Sequence, residues 1–247
     1  MRSQFHKLIT ILLTVILLAG SYAILPAKVS ADEDGFYFNI VKDCAEIWLC
    51  TNNNSIIYIP STLGGYTVTK IGNGSFRSSK AVKVVIPDSV IAIGDNAFNS
   101  CDYLESVSIG SNVESIGNDA FSRCSSLPGI AIPDRTTSIG DRAFESCSAL
   151  NSVIVGNSVK TIGEGAFRYC SSLKGITLPN SVTFIGREAF EYCALNSITI
   201  PGSVKQVFHN AFYSCSSLKT VTISNGVPYI GASAFGQCTS LTEVIIG

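Results

Sequence analysis

Ionisable groups are scarce in this chain. Asp, Glu, Lys and Arg make up 14% of its 247 residues, with two His, one Trp and one Met. Beyond residue 31 the only His is His209. One imidazole cannot build a zinc site unaided, and the sequence around it supplies no convincing nucleophile and acid for a hydrolase triad. Gly-rich phosphate loops are missing as well. No cofactor, metal ligand or catalytic residue is expected. Without residues 1–31 the chain keeps 14 basic against 18 acidic groups, a net charge of −4, and it has no Lys or Arg block. Nucleic acid is therefore not an expected partner.

No apolar run reaches the length needed to span a bilayer. The run over 8–20 has 13 residues and follows Arg2 and Lys7, the pattern of a signal peptide's apolar core. Val29-Ser30-Ala31 fits a small-residue cleavage site, giving residues 1–31 as the signal peptide and a mature start near Asp32; Ala23 is a second candidate. Ser21 stands where a bacterial lipoprotein would carry Cys, so lipid anchoring is not supported. An uncleaved membrane anchor is the alternative to export.

What the chain has in quantity is repetition. Phe recurs at Phe76, Phe98, Phe121, Phe144, Phe167, Phe190, Phe212 and Phe235, at gaps of 22 or 23. Cys recurs at Cys101, Cys124, Cys147, Cys170, Cys193, Cys215 and Cys238. A fixed period of this length means one supersecondary unit stacked on copies of itself. The unit reads Leu-x-x-Ile-x-Ile-Pro-x-x-Val-x-x-Ile-Gly-x-x-Ala-Phe-x-x-Cys, as in Leu173, Ile176, Leu178, Pro179, Val182, Ile185, Gly186, Ala189, Phe190, Cys193. Its first piece alternates with period two and predicts a strand with one face inward. Pro ends that ladder, and Val-x-x-Ile predicts a second short strand on the opposite wall. Gly is expected to supply the corner, and Ala-Phe to open a short helical or 3₁₀ turn. Thr136 replaces an inward Val. Val207-Phe208 replaces Ile-Gly, so a distorted corner is expected there.

Residues 32–54 do not obey the repeat. Aromatic and β-branched residues around Lys42-Asp43 predict a hairpin that caps the first coil, with Trp48 packed in it. Residues 55–247 hold about eight coils, and the chain stops part-way through one, without a polar closing coil. A longer parent protein, or end-to-end pairing through the uncapped coil, would account for this.

Seven of nine Cys at one repeat position read as a ladder of free core thiols. Coils stack at about 4.8 Å, whereas bridged Cβ atoms lie near about 3.8 Å. Disulfides between neighbouring coils are the alternative, and Cys44 with Cys50 could also pair.

The 23-residue unit resembles the BspA-like class of leucine-rich-repeat proteins, over roughly residues 55–247. So does the opening Ile59-Pro60-Ser61-Thr62-Leu63-Gly64-Gly65-Tyr66. The resemblance implies a leucine-rich-repeat solenoid on an exported bacterial surface protein, associated with adhesion to host, matrix or microbial partners. It carries over no catalytic residues.

Two surfaces are candidates for contact with an extracellular protein or glycan. The first is the outward strand row of Val85, Ser108, Ala131, Ile154, Thr177, Thr199 and Thr222, a wall that reads as small, nearly uncharged and free of aromatics. The second is an aromatic patch of Tyr169, Phe184, Tyr192, Tyr213 and Tyr229, in which Tyr169 and Tyr192 should stack and aromatic rows could hold sugars. His209 reads as a solvated turn residue. Loop acids such as Asp119, Asp141, Glu164 and Glu188 occur one per coil, as solvation of a repeated turn would produce. The leading function is an exported binding module. The alternative is a structural spacer, or a fragment of a larger surface protein bearing another domain.

Overall fold

The computed structural model of the protein describes residues 29–32 and 34–247. The apolar run over 8–20 and the Ala23 site lie outside them. The described residues form strands and turns, with no helix. From residue 55 the chain winds as a solenoid of about nine turns, with its short strands laid on two walls.

The first wall comes from the Leu-x-x-Ile-x-Ile piece. It is three sheets, not one: Ile56–Tyr58, Lys83–Val85 and Ser106–Ser108; then Gly129–Ala131 and Ser152–Ile154; then Ser197–Ile200, Thr220–Ile223 and Glu243–Ile246. Within each sheet the strands are parallel and in register, Val84 opposite Val107 and Ile130 opposite Val153. The second wall comes from Val-x-x-Ile. Its two-residue strands run unbroken from Ala92–Ile93 to Gln206–Val207, and Val207 makes one further bridge to Ile230.

At the N-terminal end Phe36–Val41 and Cys44–Cys50 form an antiparallel hairpin. Its two connecting residues, Lys42 and Asp43, are both left-handed (φ 49° and 59°), as a tight type I′ turn demands. Cys44–Cys50 then pairs in parallel with Tyr66–Ile71, which joins the hairpin to the second wall. Val29–Ala31 adds an outer antiparallel strand. Trp48 packs edge-on against Tyr37, ring centroids 5.8 Å apart. Cys44 and Cys50 sit at opposite ends of one extended strand. At about 3.3 Å per residue they stand about 20 Å apart, far beyond the reach of a disulfide. All nine Cys are free.

Between the walls the Phe rings form one column. Phe98 lies 5.1 Å from Phe121 and Phe121 5.4 Å from Phe144, with planes 7° and 1° apart. Beside them each ladder thiol donates to the Phe carbonyl of the preceding coil, as Cys147 Sγ does to Phe121 at 3.1 Å. This bond gives a physical reason for Cys where any small apolar residue would fill the space. Thr136 keeps its buried hydroxyl satisfied in the same manner, donating to the Val113 carbonyl at 2.7 Å.

One expectation of the repeat's local geometry is corrected. The Ala-Phe turn is not helical. The residues two before and two after each Phe are left-handed, as Asn96 (φ 56°) and Ser100 (φ 59°) flanking Phe98 show. These flips point alternate amides along the solenoid: Asn96, Phe98 and Ser100 donate to Asn118, Ala120 and Ser122 of the next coil. Helical i→i−4 bonding gives way to bonding between coils. The corner glycines stand where expected, and what requires them is space, since none of Gly94, Gly117, Gly140 and Gly163 has a left-handed φ. A Cβ on Gly140 would lie 2.5 Å from the Gly117 carbonyl carbon, and one on Gly163 would lie 2.6 Å from that of Gly140. Close approach of coils excludes a side chain. The corner at Phe208 keeps its own bond, the amide donating to Ile185 at 2.9 Å, but the bonds beside it lengthen: Glu188 to His209 and Asn210 to Ala232 are both 3.2 Å, where Asn96 to Asn118 and Gly165 to Arg187 are 2.8 Å.

Candidate binding surfaces

The first wall carries the predicted row outward, with Ser108, Ala131, Ile154, Thr177 and Thr199 exposed and Val85 and Thr222 half-buried. Its register adds a residue the sequence reading missed. Tyr58 pairs with Val85 and is 65% exposed, so the row begins with an aromatic. The extra residues at Gly64-Gly65 set Tyr58 apart from the regular period and hid it.

The wall is broken twice, and both breaks fall beside a Gly in the row that elsewhere carries Lys83, Ser106 or Ser152. At the first, Pro128 precedes Gly129. Pro has no N–H to donate where Glu105 and Asn151 each bond to the coil before. At the second, the pass through Lys174-Gly175-Ile176-Thr177 forms no strand at all. Glycine's lack of a packing side chain weakens a strand. A cavity of about 640 Å³ opens there, floored by Val153, Ile176 and Ile198 and rimmed by hydroxyls and amides including Thr177 and Thr199.

The aromatic patch divides in two. Tyr169 and Tyr192 do stack, centroids 5.0 Å apart and planes 11° apart, and Tyr213 meets Tyr192 edge-on at 6.5 Å. Phe184 and Tyr229 stand instead on the second wall, in the row of Thr161 and Gln206, with the Gln206 pass between them. The Tyr169 ring is already engaged, since the Arg168 guanidinium sits 4.7 Å from its centroid as well. A sugar ring would have to displace one of these partners.

Arg168 anchors a charge ladder that the sequence reading overlooked. The position after Phe reads Glu145, Arg168, Glu191 in successive coils, and Glu188 adds a third acid. Arg168 lies 4.0 Å from Glu145, 3.2 Å from Glu188 and 2.5 Å from Glu191, the last pair without hydrogen-bond alignment. Glu191 is buried, and burial raises its carboxyl's pKa against the pull of Arg168.

The turn acids and His209 form another ladder. Asp95 Oδ1 accepts from the Asn118 amide at 2.7 Å and Asp141 Oδ1 from Glu164 at 2.8 Å, while His209 Nδ1 accepts from Ala232 at 3.1 Å. These side chains bond coil to coil and are not simply solvated. Among the described residues no three His, Cys, Asp or Glu side chains converge as metal ligands. Burial pushes the Cys215 thiol up to about 12 and the Cys170 thiol well above its ordinary value.

Parallel coils stacked about a Phe column, with short strands on an outward wall, define a leucine-rich-repeat solenoid. The family model for the BspA type leucine rich repeat region matches six copies over residues 47–174 and 137–247, and the chain belongs to that family. A T. pallidum leucine rich repeat protein of known crystal structure is 26% identical, with a TM-score of 0.62 over 86% of this chain and 91% of that one. The pneumococcal vaccine antigen PcpA is 19% identical, with a TM-score of 0.64 over 89% of this chain and 70% of that one; this likeness concerns the fold. A comparison with curated proteins found no match.

Proposed function

We propose that the chain is an exported bacterial surface module that binds an extracellular protein or glycan through its first wall, without catalysis. One observation carries the reading. The Phe, Cys, Gly and turn positions are all occupied in bonding coil to coil, whereas the row from Tyr58 to Thr222 faces solvent. Uncharged side chains on a long wall, most of them small, suit broad contact with low desolvation cost. The signal-peptide pattern of residues 1–31 and membership of the repeat family support export to the surface.

The test is binding of the secreted chain to immobilised matrix proteins and glycans, with Thr177→Lys and Thr199→Lys as wall variants. Loss of binding in both supports the reading. Undiminished binding removes the wall from consideration.

A further inference from the structure

We infer that processing at Ala31 bares a strand edge on the N-terminal cap, and that this edge pairs with the same edge of a second copy of the chain. The first wall takes no part in it. Val29-Ser30-Ala31, the small-residue cleavage site, is also the outer strand of the cap, with Ser30 opposite Phe38 and Ala31 opposite Tyr37. That strand ends the sheet that runs through the hairpin into the second wall. A cut after Ala31 separates it from the fold, and Phe36–Val41 becomes the last strand, with one side unpaired.

The ladder fixes which groups are bared. The Asp32 amide donates to the Phe36 carbonyl at 3.0 Å, and the Phe36 amide donates to Asp32 Oδ1 at 2.7 Å. Asp32 stays with the processed chain, so Phe36 stays satisfied. Bonded pairs alternate along an antiparallel ladder, so Phe38 exchanges its two bonds with Ser30, and Ile40 points its amide and carbonyl the same way. Once the outer strand leaves, Phe38 and Ile40 present two donors and two acceptors along one edge. A hollow of about 330 Å³ lined by Ser30, Ala31, Phe38, Ile40 and Tyr66 opens with it.

Asn39 names the occupant. Its Oδ1 is buried without a hydrogen-bond partner among the described residues, and the residue opposite it is Val29, a type with no side-chain donor. Two copies paired antiparallel about a two-fold axis at Asn39 place Phe38 of each opposite Ile40 of the other. All four bared groups of each copy are then bonded. The same axis sets the two Asn39 residues opposite each other in a closely spaced pair, where each carboxamide has a donor for the other's orphaned oxygen. On the inner face Phe38 meets Ile40 of the second copy. An axis at Phe38 would instead set Ile40 against Phe36, whose groups Asp32 already holds. An extended peptide of unrelated sequence fills the edge but brings no fixed donor to Asn39. Because the outer strand is the last in its sheet, the second copy continues that sheet beyond the cap.

The experiment compares the secreted chain with a chain of residues 24–247, which keeps the outer strand, by mass spectrometry and sedimentation velocity. The secreted chain should begin at Asp32 and form dimers as its concentration rises through about 10–100 µM, while residues 24–247 stay monomeric. In the secreted chain, Ile40→Pro removes one outward donor at an edge position that tolerates proline. It should weaken the dimer by about tenfold or more. Asn39→Asp sets two carboxylates face to face and should weaken it similarly at neutral pH, with recovery near about pH 4 as they protonate. Both variants should keep the wild-type circular dichroism, since neither touches a bond within the hairpin. Four results would overturn the inference: a secreted chain that retains Val29–Ala31, a secreted chain that stays monomeric, dimers formed equally by both lengths, or dimers indifferent to both variants. Any of these leaves the reading of the first wall standing.

Discussion

The Cys170 thiol donates to the Phe144 carbonyl at 3.2 Å, a buried hydrogen bond that ties one coil to the coil before it. Replacing Cys170 by Ala removes the donor and leaves a small void. The expected loss is about 1–3 kcal/mol in urea unfolding. Cys170→Ser keeps a donor and should lose less than Ala. Equal losses would mean that the thiol acts by volume alone.

Alkali should weaken the fold through the same ladder. Burial raises the Cys215 thiol from 9.0 to about 12. The folded state therefore holds a proton that the unfolded chain releases. This contribution is complete below the unfolded value and is lost as pH rises from about 9 towards 12. Urea midpoints should fall over that range, and by less in Cys215→Ala. In the native state at neutral pH, iodoacetamide should label the half-exposed Cys44 and Cys50 before any ladder thiol.

The Phe column should be more sensitive at its middle than at its end. Phe144 is fully buried between two stacked rings, whereas Phe235 has one ring neighbour and is partly exposed. Phe144→Ala should lose about 3–5 kcal/mol and Phe235→Ala clearly less, by calorimetry or urea unfolding.

Two glycines separate close approach from openness. Gly140→Ala places a methyl group against the backbone of the coil before and should lose about 1–3 kcal/mol. Gly175→Ala meets open space and should stay within about 0.5 kcal/mol of wild type.

Arg168 and Glu191 should couple. Arg168→Leu leaves the buried Glu191 carboxylate without its counter-charge, and the expected loss is about 1–3 kcal/mol at neutral pH. Adding Glu191→Gln should recover part of it. A double-mutant cycle showing simple additivity would contradict the pairing.

Much of the fold was legible because the repeat encodes contacts between identical positions. A Phe every 22 or 23 residues forces a column, and period two in Leu-x-x-Ile-x-Ile forces an inward face. What was illegible depends on what stacks above and below. Asn96 is a residue type that tolerates a left-handed φ, but Ser100 carries no such mark; the flips follow from sending amides to the next coil. Gly140 looks like a turn residue until the Gly117 backbone is seen beneath it. The aromatic patch divided because Phe184 holds a strand position and Tyr169 a turn position, a difference that aligning the coils would have shown. The breaks in the wall had a visible signal in Pro128-Gly129 and Gly175, but the open cavity at the second needed coordinates.

The most direct test sets one wall against the other. Lysine would be placed singly at Thr177 and Thr199 on the first wall, and at Ser138 and Thr161 on the second. Affinity for whichever matrix protein or glycan the secreted chain captures would then be measured by calorimetry. The expected result is a loss of about tenfold or more for the first pair and little change for the second. Loss confined to Ser138 and Thr161 would place the encounter on the second wall and contradict the account.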